Sequence, residues 1–191
     1  MENFISSLFK YMADLGPVLA LLISISLIIL ESIFPVLPLA IFIAINNILF
    51  NNILGFIISY ISTIIGCLVA FIIIRKGFSN KLYLKAHKNK NIKKVMKFIT
   101  NVSFVKLTLV TALPFTPAFV INIACGLSKM SYKKFIISIL ISKLSIIYFW
   151  GFIGTTFIQS ITNYKVLIEL GILLLIAYII SYIVSKKLKI K

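Results

Sequence analysis

Glu31-Ser32-Ile33-Phe34-Pro35-Val36-Leu37-Pro38 sets an acid and two prolines between apolar runs at 15–30 and 39–50. A carboxylate between two membrane-grade stretches costs roughly 2.5–3.5 kcal/mol even on a lenient insertion scale. Two prolines three apart break the helix just after it, and the carbonyls they free need protein or water as partners. Further along, the device returns without the acid as Pro114-Phe115-Thr116-Pro117, with Asn122 following. These read as two facing broken segments around one central site, an arrangement that points to membrane transport rather than soluble chemistry.

Composition agrees. Of the 191 residues 61% are hydrophobic, and the mean hydropathy is +1.11. A water-soluble domain cannot hide that much apolar surface, so a polytopic membrane protein is expected. Twenty Lys+Arg against four Asp+Glu give a net charge of +16. The basic residues lie between apolar spans, so the positive-inside rule explains them and a nucleic-acid partner is not expected. The expected partners are membrane lipids, with anionic headgroups drawn to the basic surface. Cys67 and Cys125 both fall within apolar segments, which supports neither a disulfide framework nor a metal site. The N-terminus lacks a basic n-region and a small-residue cleavage site, so the first span reads as retained.

Charge then orders the chain. Residues 1–14 form a short amphipathic segment, either an interfacial helix or a frayed terminus. A single membrane domain covers 15–184, and a basic tail covers 185–191. The tail holds four Lys, the 75–106 loop ten basic residues and the 129–134 loop three, which places all three segments in the cytoplasm. The last span, 166–184, must then run inward and 135–158 outward, so both flanks of 107–126 are inside. That segment becomes a re-entrant hairpin bent at Pro114 and Pro117. The same logic makes 32–50, bent at Pro35 and Pro38, a hairpin entering from the other side, with 53–74 a full span. The expectation is an all-α fold of four full spans plus two opposed re-entrant hairpins in an inverted repeat. It is a multi-pass protein of the plasma membrane with both termini cytoplasmic. Along 53–74, Gly55, Ser59, Ser62, Thr63, Gly66 and Ala70 share one helix face, a face made for close packing.

Few residues can carry chemistry. Glu31 is the acid most readily drawn into an interior site, where passing between dry and wet surroundings would let it exchange a proton; the alternative is a carboxylate capping the next segment. Lys143 lies inside its span, either as a partner for Glu31 or a headgroup, or as a snorkelling side chain. Arg75, at a cytoplasmic span end, reads as a phosphate-gripping guanidinium or as a topology anchor. Asn46 and Asn122 can satisfy backbone freed in the hairpins or touch a headgroup. No nucleophile elbow, P-loop, dinucleotide fingerprint or metal-spaced Cys/His set is present, so neither an enzyme nor a cofactor is expected.

Taken together, Glu31-x-x-x-Pro35-x-x-Pro38, Gly55…Gly66…Arg75, and Pro114-Phe-Thr-Pro117…Asn122-x-Ala124-x-Gly126-Leu-Ser-x-Met130 with Phe135 and Lys143 resemble the DedA superfamily. Its eukaryotic relatives carry the same VTT domain, also called the SNARE-associated Golgi protein domain. The block from Asn122 to Met130 is most similar to the bacterial branch akin to the Golgi and vacuolar-transport members. The resemblance implies two opposed re-entrant hairpins and lipid transport, by flippases recycling undecaprenyl phosphate or scramblases moving phospholipids. It also implies functional roles for Glu31 and for an Arg three positions before the first proline of the second hairpin. This chain has Thr111 there, which leaves a cation to come from Lys106, Lys143 or Arg75. The function expected is movement of an anionic lipid between leaflets. The alternatives are a small-solute carrier or a non-transporting scaffold.

Overall fold

The structure, a computed structural model, describes residues 7, 16–34, 39–77, 99, 102–116, 118–128 and 130–187. The expected interfacial segment at 1–14, the prolines Pro35, Pro38 and Pro117, most of the basic loop and the end of the tail lie outside the described residues. Those described are helical and contain no strand. In order the helices are α1 (Pro17–Ile33), α2 (Leu39–Gly77), α3 (Phe104–Ala112), α4 (Ala118–Leu127), α5 (Tyr132–Gln159) and α6 (Tyr164–Lys187).

Local chemistry sets the breaks. Pro17 starts α1, where its missing N–H is not needed, and Phe34 ends it in an extended conformation. Asn51 (φ 62°, ψ 166°) divides α2 into α2a (39–50) and α2b (52–77). Asn is among the few residues that tolerate positive φ. Its Oδ1 then accepts from the backbone N–H groups of Ile53 and Leu54, capping α2b. Ser103 caps α3 and Ser131 caps α5, each hydroxyl accepting from the N–H three residues on. The Ser131 cap puts Lys133 and Lys134 inside the first turn of α5, where the sequence suggested a loop.

Three helices are long and apolar enough to cross a membrane, Leu39–Lys76, Tyr132–Gln159 and Tyr164–Lys187. The helix expected as the first full span, α1, has 17 residues, about 25 Å at 1.5 Å per residue. That is at the lower end of the roughly 17–25 residues a span uses.

Burial is inverted relative to a soluble protein. Outward faces carry Ile, Leu, Val, Phe and Tyr, whereas Ser24, Asn46, Ser59, Thr63, Asn122, Ser138, Ser142 and Lys143 are buried. Lipid is the solvent that makes such a surface favourable.

α2b and α5 run antiparallel through the centre. Phe71 stacks on Phe135 at 4.0 Å near one end, the Tyr60 hydroxyl donates to the Leu140 carbonyl further along (2.7 Å), and Asn52 and Gln159 share the other end. The α3–α4 pair packs on the first end, in a core of Phe71, Val102, Leu107, Val110, Ile121, Ala124, Cys125, Met130 and Phe135. α1 and α2a pack toward the second. Glycines set these contacts. A Cβ on Gly55 would lie 2.5 Å from the Asn46 carbonyl carbon, one on Gly66 2.5 Å from the Ser32 Cβ, and one on Gly154 2.3 Å from the Ala40 carbonyl oxygen. The small-residue face of 53–74 is therefore a packing face. It also places Ser59 where it receives the amide N–H of Asn46 (2.9 Å), while Ser24 donates to the Asn46 Oδ1. One fully buried asparagine thus ties α1, α2a and α2b together.

Candidate functional site

Residues flanking both helix breaks line one cavity of about 440 Å³. The end of α1 contributes Glu31 and Ser32, the start of α2a Leu39 and Ala40, and the middle of α2b Cys67. The second break contributes Pro114 and Thr116, the start of α4 Ala118 and Phe119, and α5 contributes Lys143, Ile146 and Trp150. α5 is 28 residues long, about 42 Å, and Lys143 lies eleven residues in, about 16 Å from its start. That is close to mid-depth in a bilayer whose hydrocarbon core is about 30 Å thick.

Lys143 is only 4% exposed. Its ammonium acts electrostatically on the carboxyl of Glu31, yet no direct ion pair closes between the two. Each charge therefore remains available to a third group entering the cavity, and a phosphate or a proton would change the balance between them. Thr116 adds a hydroxyl and Trp150 an indole N–H donor. Among the described residues no group of three or more His, Cys, Asp or Glu side chains is placed to hold a metal ion.

Of the residues singled out in the sequence, Glu31, Pro114 and Lys143 meet here. Arg75 sits at the far end of α2b, where its Nη1 donates to the Met130 carbonyl (2.6 Å). Its guanidinium lies over the rings of Phe71 (5.2 Å) and Tyr132 (4.7 Å). Thr111 turns its hydroxyl back onto its own helix, donating to the carbonyls of Leu107 (2.8 Å) and Thr108 (3.1 Å). Asn46 is held in the Ser24–Ser59 network. Asn122 is buried on α4, with its Nδ2 unpartnered. Neither asparagine lines the cavity.

The sequence reading missed Thr116, Phe119, Trp150 and Cys67. Two of them carried a signal. Thr116 lies inside the Pro-Phe-Thr-Pro block, and Trp150, the single tryptophan, follows Lys143 by seven residues, two helical turns along the same face. Trp150 also meets Phe115 edge to face (5.8 Å), and Phe115 meets Tyr178 of α6 (5.6 Å). Aromatic rings therefore join the cavity wall to the last helix.

The chain is similar to two proteins of Bacillus subtilis (strain 168). It is 29% identical to "Uncharacterized membrane protein YhjE" over 153 residues, 80% of this chain and 72% of that protein. It is 26% identical to "Uncharacterized protein YqeD" over 129 residues, 68% of this chain and 62% of that protein, so it spans less than two thirds of YqeD. No solved structure matches. The VTT domain model matches residues 37–156. That match runs from the first helix break through the part of α5 that lines the cavity and covers more than half the chain, so the chain belongs to the VTT-domain (DedA) family.

Proposed function

We propose that this protein transports an anionic lipid, a phospholipid or a polyprenyl phosphate, between the leaflets of the plasma membrane, with Glu31 coupling the movement to a proton. The observation that carries the reading is the meeting of Glu31 and Lys143, from opposite halves of the chain, in one mid-depth cavity bordered by both helix breaks.

In this reading the phosphate of a lipid headgroup enters the cavity and binds the Lys143 ammonium while Glu31 is protonated, and the acyl chains stay in the bilayer. Loss of the proton gives Glu31 a negative charge that competes for Lys143 and releases the lipid. The helix pairs α1–α2a and α3–α4 serve as opposed re-entrant hairpins. The basic tail keeps the C-terminus cytoplasmic. Lys143 takes the part of the cation that the family resemblance implies at the position of Thr111. Without it, a phosphate at this depth would be strongly penalised.

The test is reconstitution of the purified protein in liposomes with a labelled anionic phospholipid, scoring its accessibility to an impermeant quencher. Movement above that in protein-free vesicles is expected. Movement no faster than in protein-free vesicles, for both the phospholipid and a polyprenyl phosphate carrying the same label, would overturn the proposal. Cysteines placed at Asn51 and Gln159 should react with an impermeant reagent from outside the cell; reaction only from inside would reverse the orientation.

A further inference from the structure

A second opening lies along the same helices, nearer the end shared by Asn52 and Gln159. It is a groove of about 710 Å³ between α2 and α5. Two features separate it from the central cavity.

The first is depth. The α5 residues lining it run from Ile147 to Gln159. Gly151 and Thr155 lie eight and twelve residues beyond Lys143, about 12 and 18 Å at 1.5 Å per residue. With Lys143 near mid-depth and a half-thickness of about 15 Å, the groove straddles the boundary between hydrocarbon and headgroups.

The second is chemistry. No lining residue carries a formal charge. Asn47, Asn52, Tyr148, Thr155, Thr156 and Gln159 supply amides and hydroxyls instead. One is left short of partners: the Asn47 Nδ2 donates to the Thr155 Oγ1 at a long 3.3 Å, while its buried Oδ1 has no partner. Whichever way that amide is turned, one end stays unpaired. The rim is apolar and open to the bilayer, with Ile53 74% and Phe152 52% exposed.

We propose that this groove binds an uncharged glycolipid of the glycosyl-diacylglycerol class. The sugar hydroxyls meet the amides and hydroxyls at the Asn52–Gln159 end, and the chains lie along Ile53, Ile57 and Phe152. A phosphate headgroup finds no cation here and would be desolvated without compensation, whereas a sugar both donates and accepts. The site is distinct from the one that grips phosphate, and its existence does not depend on transport by the central cavity.

The experiment uses the full chain in nanodiscs containing diglucosyl-diacylglycerol and phosphatidylglycerol of the same acyl composition. Lipids retained after release into the gas phase are counted by native mass spectrometry. The glycolipid should be retained in preference, and a Thr156→Val/Gln159→Leu variant should lose about tenfold in glycolipid retention, as expected for two missing hydrogen bonds. Lys143→Met should retain it as the native chain does. Preference for phosphatidylglycerol, or undiminished retention in the double variant, would overturn the proposal. A diazirine-bearing glycolipid applied to the native chain gives a reading that needs no variant. Adducts on 52–57 and 147–159 support the site, and adducts confined to other segments exclude it.

Discussion

Glu31 at the end of α1 and Lys143 in the middle of α5 line one cavity without closing an ion pair, although 112 positions of sequence separate them. An acid and a base held apart at mid-depth are costly to maintain.

Replacing Glu31 with Gln keeps the shape of the side chain and removes its ability to ionise. Lipid movement in Glu31→Gln vesicles should no longer respond to an imposed pH gradient, while thermal unfolding in detergent stays close to native. A pH response equal to that of the native protein would show that the proton enters elsewhere.

Lys143→Met and Arg75→Met should separate site from scaffold. A charge-assisted bond to phosphate is worth about 1.5–3 kcal/mol, so Lys143→Met should slow transport about ten- to hundredfold while the protein still folds. Arg75→Met loses the bond to the Met130 carbonyl and the contact with Phe71 and Tyr132. It should cost about 1–3 kcal/mol of stability, with transport per folded molecule retained. Initial rates normalised to folded protein decide between the two roles, and native rates in Lys143→Met would mean that the lysine merely snorkels.

The glycine seams give a contrast that owes nothing to function. A methyl on Gly154 would press on the Ala40 carbonyl oxygen, whereas one on Gly171 meets nothing within 4 Å. Gly154→Ala should therefore destabilise the protein by about 1–3 kcal/mol. Gly171→Ala should stabilise it by up to about 1 kcal/mol through helix propensity. Both are read from unfolding midpoints in one detergent.

Asn46 offers a test of the polar network. Asn46→Leu removes the bonds with Ser24 and Ser59 and should cost about 1–2 kcal/mol, from two interhelical hydrogen bonds at roughly 0.6 kcal/mol each in a membrane protein. The double variant with Ser59→Ala should be less destabilised than the sum of the singles, because both remove the same bond. Strict additivity would show that the two side chains do not interact.

By itself the sequence determined the solvent, the breaks and the family blocks. Uninterrupted Ile- and Leu-rich runs can lie only in lipid, and Pro114 marks an interrupted helix because proline cannot continue the hydrogen-bond ladder. The small-residue stripe of 53–74 was legible as a packing face for the same local reason, since its spacing alone puts those residues on one side of a helix. Other outcomes required the tertiary arrangement. Asn51, rather than a proline, divides α2, because the close approach of Gly55 to Asn46 and Asn47 demands a sharp reversal there. Arg75 lies outside the cavity because the antiparallel pairing of α2b with α5 carries it to the Met130 end. Thr116 and Trp150 join Glu31 and Lys143 because both helix breaks meet α5 at one level. Spacing along a chain can place a residue on a helix face, but which faces meet depends on how separate helices pack, and here glycine contacts such as Gly154 on Ala40 decide it.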